Sequence, residues 1–234
     1  MCEDEPLFAS PGAANEQAPR RRGTTTDQQA MEARLADAST RIDEIASRAQ
    51  EARDDTRVRV QQRVNALRTR QTEVRAKARA AVEAEIEAWD DTFADLDREL
   101  GEMDIEIAIA ESQLALDSAD DRATFEAAVG QQIEAYRAYA ELLGERAASE
   151  TEGTRVRGDA AAESIRVATA TAVGRLQRYH DLTNEVAGSL RAGVLAALDD
   201  LDRTAARARG KGDAPGLLGD SQPTRTEGKE PEDG

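Results

Sequence analysis

Proline is missing from the whole middle of this chain: all six prolines lie at or before Pro19 or at or after Pro215. An interior proline costs a helix about 3 kcal/mol, and ordinary domains place proline in their turns, so residues 20–214 are free to be helical. Cysteine is nearly absent too. Cys2 stands alone, which excludes a disulfide within the chain. One Trp, three Tyr and three Phe leave little aromatic material for a broad core. No run of about 18 apolar residues occurs, which excludes a bilayer-spanning helix. The first residues, Met1-Cys2-Glu3-Asp4-Glu5-Pro6, carry acids where a signal peptide needs basic and then apolar residues, so a cytoplasmic location is expected. Three lysines against 28 arginines fit a high-GC genome or a salt-rich cytoplasm equally.

What is present points two ways. Leu, Ile, Val and Phe number 39 of 234 and the net charge is −16, a combination typical of disorder. Ala, Glu, Lys, Leu and Arg number 118, the composition of long helices. The 45 alanines reconcile the two, because alanine is the best helix former yet buries little area. The expectation is an all-α, elongated coiled coil or long helical hairpin with disordered tails at both ends.

Periodicity places the elements. Residues 1–26 and 210–234 combine proline, glycine and charge without a helical period and read as tails. Asp27 is a candidate N-cap. From there an apolar seam at three- and four-residue spacing runs through Leu35, Ala38, Ile42, Ile45, Ala49, Ala52, Thr56, Val60, Val64, Leu67, Val74, Ala78, Val82, Ile86 and Trp89. It continues through Phe93, Leu96, Leu100, Met103, Ile107, Ala110 and Leu114. This predicts one helix over about 28–115, which would extend ~130 Å. Asp117–Asp121 reads as a turn, a second helix as about 120–148, Ser149–Gly158 as a hinge, and a third helix as about 159–208. The second helix has Phe125, Val129, Ile133, Tyr136, Ala140 and Leu143 on one face, and the third has its seam at Ile165, Ala172, Leu176, Tyr179, Val186, Leu190, Val194, Leu198 and Leu201.

Charge is segregated along the predicted first helix. Arg48–Arg79 holds ten basic and four acidic residues; Glu83–Asp121 holds fifteen acidic and one basic. Like charges at helical spacing weaken a lone helix, so a complement is required. Antiparallel pairing of two chains near Ala81 would set the basic block on the acidic one, and an antiparallel homodimer is the expected assembly. A basic protein partner for the acidic block is the competing expectation.

Little chemistry can be assembled from the remaining residues. His180 is the single histidine, too few for a zinc or di-iron helical site, so no metal and no cofactor is expected. No phosphate loop, nucleophile elbow or Cys–His pair occurs, and the chain is expected not to be an enzyme. Arg53 to Arg79 form a basic stretch, but a pI near 4.6 and the adjoining acidic block disfavour nucleic acid. The expected function is a non-catalytic scaffold or spacer acting by self-association and protein binding. Its assembly interface is placed at Trp89, Phe93, Leu96, Leu100, Met103, Ile107 and Leu114. The alternative is a coat on lipid or hydrophobic granule surfaces, phasin-like or apolipoprotein-like in composition, with the membrane or granule as partner.

Overall fold

A computed structural model describes residues 20–83, 89–181 and 187–212, and these are almost entirely helical, with no strand among them. Six helices follow one another: α1 (Arg20–Ala49), α2 (Asp54–Glu83), α3 (Trp89–Asp117), α4 (Arg122–Ser149), α5 (Glu152–Asp181) and α6 (Ala187–Gly212). The chain divides into two compact units, residues 1–135 and 136–234, the division falling within α4. The expected tails differ at their inner edges. Helix α1 begins at Arg20, so Asp27 is inside it, and α6 runs to Gly212. The rest of both expected tails, Cys2 included, lies outside the described residues.

In the first unit the single helix expected over 28–115 is three helices folded on one another. The first break is at Gln50–Arg53, which contains no glycine, proline or asparagine. It is built by a residue distant in sequence. The Asp117 carboxylate, at the end of α3, accepts the Arg53 N–H (3.0 Å) and the Thr56 hydroxyl (2.9 Å). A helix has unpaired N–H groups at its start, and here a neighbouring helix supplies the acceptor that a local N-cap would otherwise provide. Partners of α1 on α3 lie 63 to 70 residues ahead, so α1 and α3 are parallel. Helix α2 runs antiparallel to both: Gln71 reaches the Leu35 carbonyl of α1 (3.0 Å) and Lys77 reaches Glu99 of α3. The seam fills the space between the three, with Ile42, Ile45, Val60, Val64, Leu67, Met103 and Ile107 fully buried. It kept its period across the break because successive helices face one core.

The second unit repeats this order with the second half of α4, α5 and α6. Tyr136 and Tyr139 of α4 meet Asp202 and Arg209 of α6, 66 and 70 residues ahead, so these helices are parallel. Helix α5 returns between them in sequence: Gly158 lies against Ala147 of α4 and Arg166 against Gly144, so α5 is antiparallel to α4, and Arg175 donates to the Gly193 carbonyl of α6 (2.7 Å). The expected third helix over 159–208 is therefore two, α5 and α6. The expected hinge Ser149–Gly158 shrinks to Glu150–Thr151, because α5 already starts at Glu152. Gly158 has a packing role there. A Cβ on it would stand 2.7 Å from the Ala147 Cβ, so glycine lets α5 approach α4.

The two sets of helices are related by a shift of 98 residues. Helix α2 (54 to 83) becomes α5 (152 to 181), and the start of α3 (89) becomes the start of α6 (187). The buried positions shift with them. Ala38, Ile42 and Ala49 correspond to Tyr136, Ala140 and Ala147; Val64, Leu67 and Val74 to Ala162, Ile165 and Ala172; Leu96, Leu100 and Met103 to Val194, Leu198 and Leu201. Residues 20–114 and 118–212 are identical at only 15 of 95 positions. Volume has been redistributed: Tyr136 and Tyr179 stand where the first unit has Ala38 and Ala81, while Gly158 and Ala172 stand where it has Val60 and Val74. Cores accept such exchanges when total volume and pattern are kept. Each unit thus sets a pair of parallel helices with an antiparallel one between them in sequence.

Candidate functional site

The most organised chemistry in the first unit is a ladder of charges between helices. On α1, Arg34 donates to Asp104 (3.0 Å) and also pairs with Asp97. One heptad on, Arg41 grips Glu111 with two bonds (3.0 and 2.9 Å) and lies 3.9 Å from Asp104. Two arginines seven residues apart thus read carboxylates seven residues apart on a parallel helix, which fixes the register of α1 on α3. The bond to Glu111 raises the Arg41 guanidinium above its ordinary pKa despite partial burial. For Arg34, burial acts downward but the bond to Asp104 and the charges of Asp104 and Asp97 outweigh it.

Between α2 and α3 the ladder is less exposed. Arg70 pairs with Glu102 and stands 3.9 Å from Glu106; its side chain is 27% exposed and both glutamates only 11%. Burial again pulls the Arg70 pKa down, and Glu102, Glu106 and Glu99 together carry it above the usual value. Lys77 pairs with Glu99 at 2.6 Å, and Arg68 reaches back to Asp43 of α1 at 2.8 Å. The basic and acidic blocks therefore find each other within one chain, α2 lying antiparallel on α3.

The residues expected to form an assembly interface sit on the inner face of α3. Leu96, Leu100, Met103, Ile107 and Leu114 are buried in the core with α1 and α2, and Phe93 packs half-buried against it. The Trp89 side chain lies outside the described residues. The structure thus brings the other six together at the core of a three-helix unit.

The same positions in the second unit carry different chemistry. Asp202 corresponds to Asp104 and accepts the Tyr136 hydroxyl in place of arginine. The pair Arg41 and Glu111 becomes Tyr139 and Arg209, whose guanidinium lies 5.8 Å from the ring centre. Gln71, which spans to the Leu35 carbonyl, becomes Thr169, whose buried hydroxyl finds no partner. A threonine is too short for that reach. Sequence reading missed this equivalence, although one signal marks it: Thr-Arg-Val-Arg occurs at 56–59 and again at 154–157.

Among the described residues no group of His, Cys, Asp and Glu is placed to hold a metal ion, and His180 is exposed near the end of α5. No described helix is long and apolar enough to cross a membrane. No protein family, no curated protein and no solved structure matches the chain.

Proposed function

We propose that the chain is a non-catalytic helical scaffold or spacer that works by self-association and by binding protein partners. The observation that carries this reading is the interhelical ladder, in which Arg34, Arg41, Arg70 and Lys77 each meet a carboxylate on another helix. Such ladders select which helix pairs with which, and in what register, more than they add stability. A chain that spends its charge on helix recognition is suited to assembling helices, its own or another's. The acidic excess of α3 also suits a basic protein partner.

The surface-coat alternative would lay the apolar stripe on lipid or a granule. Val60, Val64, Leu67 and Val74 are wholly buried against α1 and α3, so a coat would first have to open the bundle. This supports the scaffold over the coat. Sedimentation of the full chain over a concentration series, at low and at molar salt, tests the proposal. Reversible association that salt weakens is expected; a monomer under every condition contradicts it. Flotation with vesicles or hydrophobic particles should leave the protein in the soluble fraction, and recovery in the floating layer would favour the coat.

A further inference from the structure

We infer that the outer face of α5 docks on the same helix of a second copy, the two α5 helices lying antiparallel with Val156 of one against Val167 of the other. This rests on the self-association proposed above and names the surface that performs it. Val156 and Val167 are the two most exposed large apolar side chains among the described residues, 61% and 59% accessible. They stand eleven residues apart on one helix, about three turns, and so share a face. The second unit takes its core from the opposite face of α5, through Ala162, Ile165, Thr169 and Ala172. Single exposed apolar residues are ordinary; two in helical register on a face turned away from the core call for a partner.

Spacing gives the shape of that partner. The face runs Val156, Ala160, Glu163, Val167, Ala170 and Gly174 at alternating steps of four and three, the seam of a coiled coil. Ala160 and Ala170 are exposed and a Cβ on Gly174 would meet no atom within 4 Å, so no described residue covers it. A helix fits there. The equivalent face of α2 is not such a seam, because Val58 is followed by Gln62, Asn65, Thr69 and Thr72.

Charge selects a second α5 as the occupant. Asp159 and Arg166 border the seam on one side and Arg157 on the other. Asp159 and Arg157 are exposed and form no ion pair among the described residues, while Arg166 meets Glu163 of its own helix at 3.3 Å. When two copies lie antiparallel about a two-fold axis between Ala160 and Glu163, each Val156 falls on the other copy's Val167. Each Asp159 then faces an Arg166, and each Glu163 comes beside an Arg157. Every pair occurs twice, so the contact is self-complementary and closes at two chains. A parallel pair would instead set Asp159 against Ser164 and Arg166 against Thr171, leaving those charges unmatched.

Disulfide capture in the full chain tests the register. With Cys2→Ser removing the native thiol, one batch carries Val156→Cys and another Val167→Cys, and the two are mixed and left to oxidise in air. Both sites are exposed, so neither change disturbs the fold. Antiparallel pairing brings positions 156 and 167 together and holds like positions ~16 Å apart along the axis, beyond the reach of a disulfide. Crosslinking in the mixture and little in either batch alone is expected; equal crosslinking in the single batches, or none in the mixture, overturns the pairing. Val167→Arg should weaken the association seen in sedimentation by roughly tenfold or more with helicity unchanged. Val58→Arg, at an exposed valine of α2, should leave it as in the parent. Asp159→Arg alone should weaken it, and adding Arg166→Asp should restore it. A chain that associates and is indifferent to Val167→Arg overturns this surface while self-association elsewhere stands; a chain monomeric at every concentration removes both proposals. Flotation with vesicles that Val167→Arg abolishes would give the face to lipid and overturn the pairing as well.

Discussion

Replacing a helical glycine by alanine normally stabilises a helix by about 1 kcal/mol, because alanine loses less backbone freedom. Gly158→Ala should do the opposite. Its new methyl would lie 2.7 Å from the Ala147 Cβ and 3.5 Å from the Ala147 Cα. Ordinary carbon contacts are about 3.5 to 4.0 Å, so α4 and α5 must part by about 1 Å. The obstructing group cannot rotate away, since an alanine methyl has no alternative rotamer, and overpacking of this kind costs about 1 to 3 kcal/mol. Offset by the propensity gain, Gly158→Ala should be neutral to about 2 kcal/mol less stable than the parent. Gly174, on the same helix, has open space around its virtual Cβ and serves as the control. Gly174→Ala should gain about 0.5 to 1 kcal/mol, leaving a gap of about 1 to 3 kcal/mol between the variants. Urea unfolding followed by circular dichroism measures both. The double variant Gly158→Ala with Ala147→Gly should show favourable coupling, because the second change removes the obstructing methyl. If Gly158→Ala gains as much as Gly174→Ala, the close approach of α4 and α5 is refuted.

Leu100→Ala, fully inside the first core, should cost about 2 to 5 kcal/mol in urea unfolding, and half-buried Phe93→Ala less; a neutral Leu100→Ala would remove α3 from the core. Thr169→Val keeps the shape and deletes a buried hydroxyl without a partner, so it should stabilise by about 1 kcal/mol, and a loss of stability would mean that the hydroxyl is bonded. Molar salt should raise hydrogen exchange in α1–α3 more than in α5–α6, because Arg34 and Arg41 hold α1 on α3 through exposed charges while Tyr139 and Arg209 replace one such pair; equal effects would contradict the ladder's role. The Thr124 N–H holds the Asp121 carboxyl below its usual pKa. Its contribution is then present above the ordinary aspartate range and lost as pH falls through the lowered value, so the protection of amides at the start of α4, relative to their intrinsic exchange rate at each pH, should fall only in acid, and Asp121→Ala should abolish that pH dependence.

Helix content was legible from proline and alanine alone, and the seam named most of the buried residues, including Leu35, Ile42, Val60, Leu100 and Val194. The turn at Gln50–Arg53 was not, because its cap is Asp117, 64 residues away from the N–H that it accepts. Nothing local distinguishes those four residues from a continuing helix. The seam added to the difficulty, since helices facing one core keep one period through a change of direction. Charge segregation was visible, and so was the need for an antiparallel complement; that α3 supplies it to α2 of the same chain required the fold. The 98-residue correspondence of buried positions was hidden by exchanges of large and small residues, Ala38 for Tyr136 and Val60 for Gly158 among them. Such exchanges erase identity while preserving the core.

The stretch from α1 to α3 turns back on itself at Gln50–Arg53. Glu32 and Glu73 are exposed and lie on α1 and α2. With Cys2→Ser removing the native thiol, spin labels on Glu32→Cys and Glu73→Cys report their separation by pulsed electron resonance. Packed neighbouring helices place these sites on adjoining axes about 10 Å apart, giving a label distance under about 25 Å. One uninterrupted helix would separate them by ~60 Å, and that distance would contradict the account.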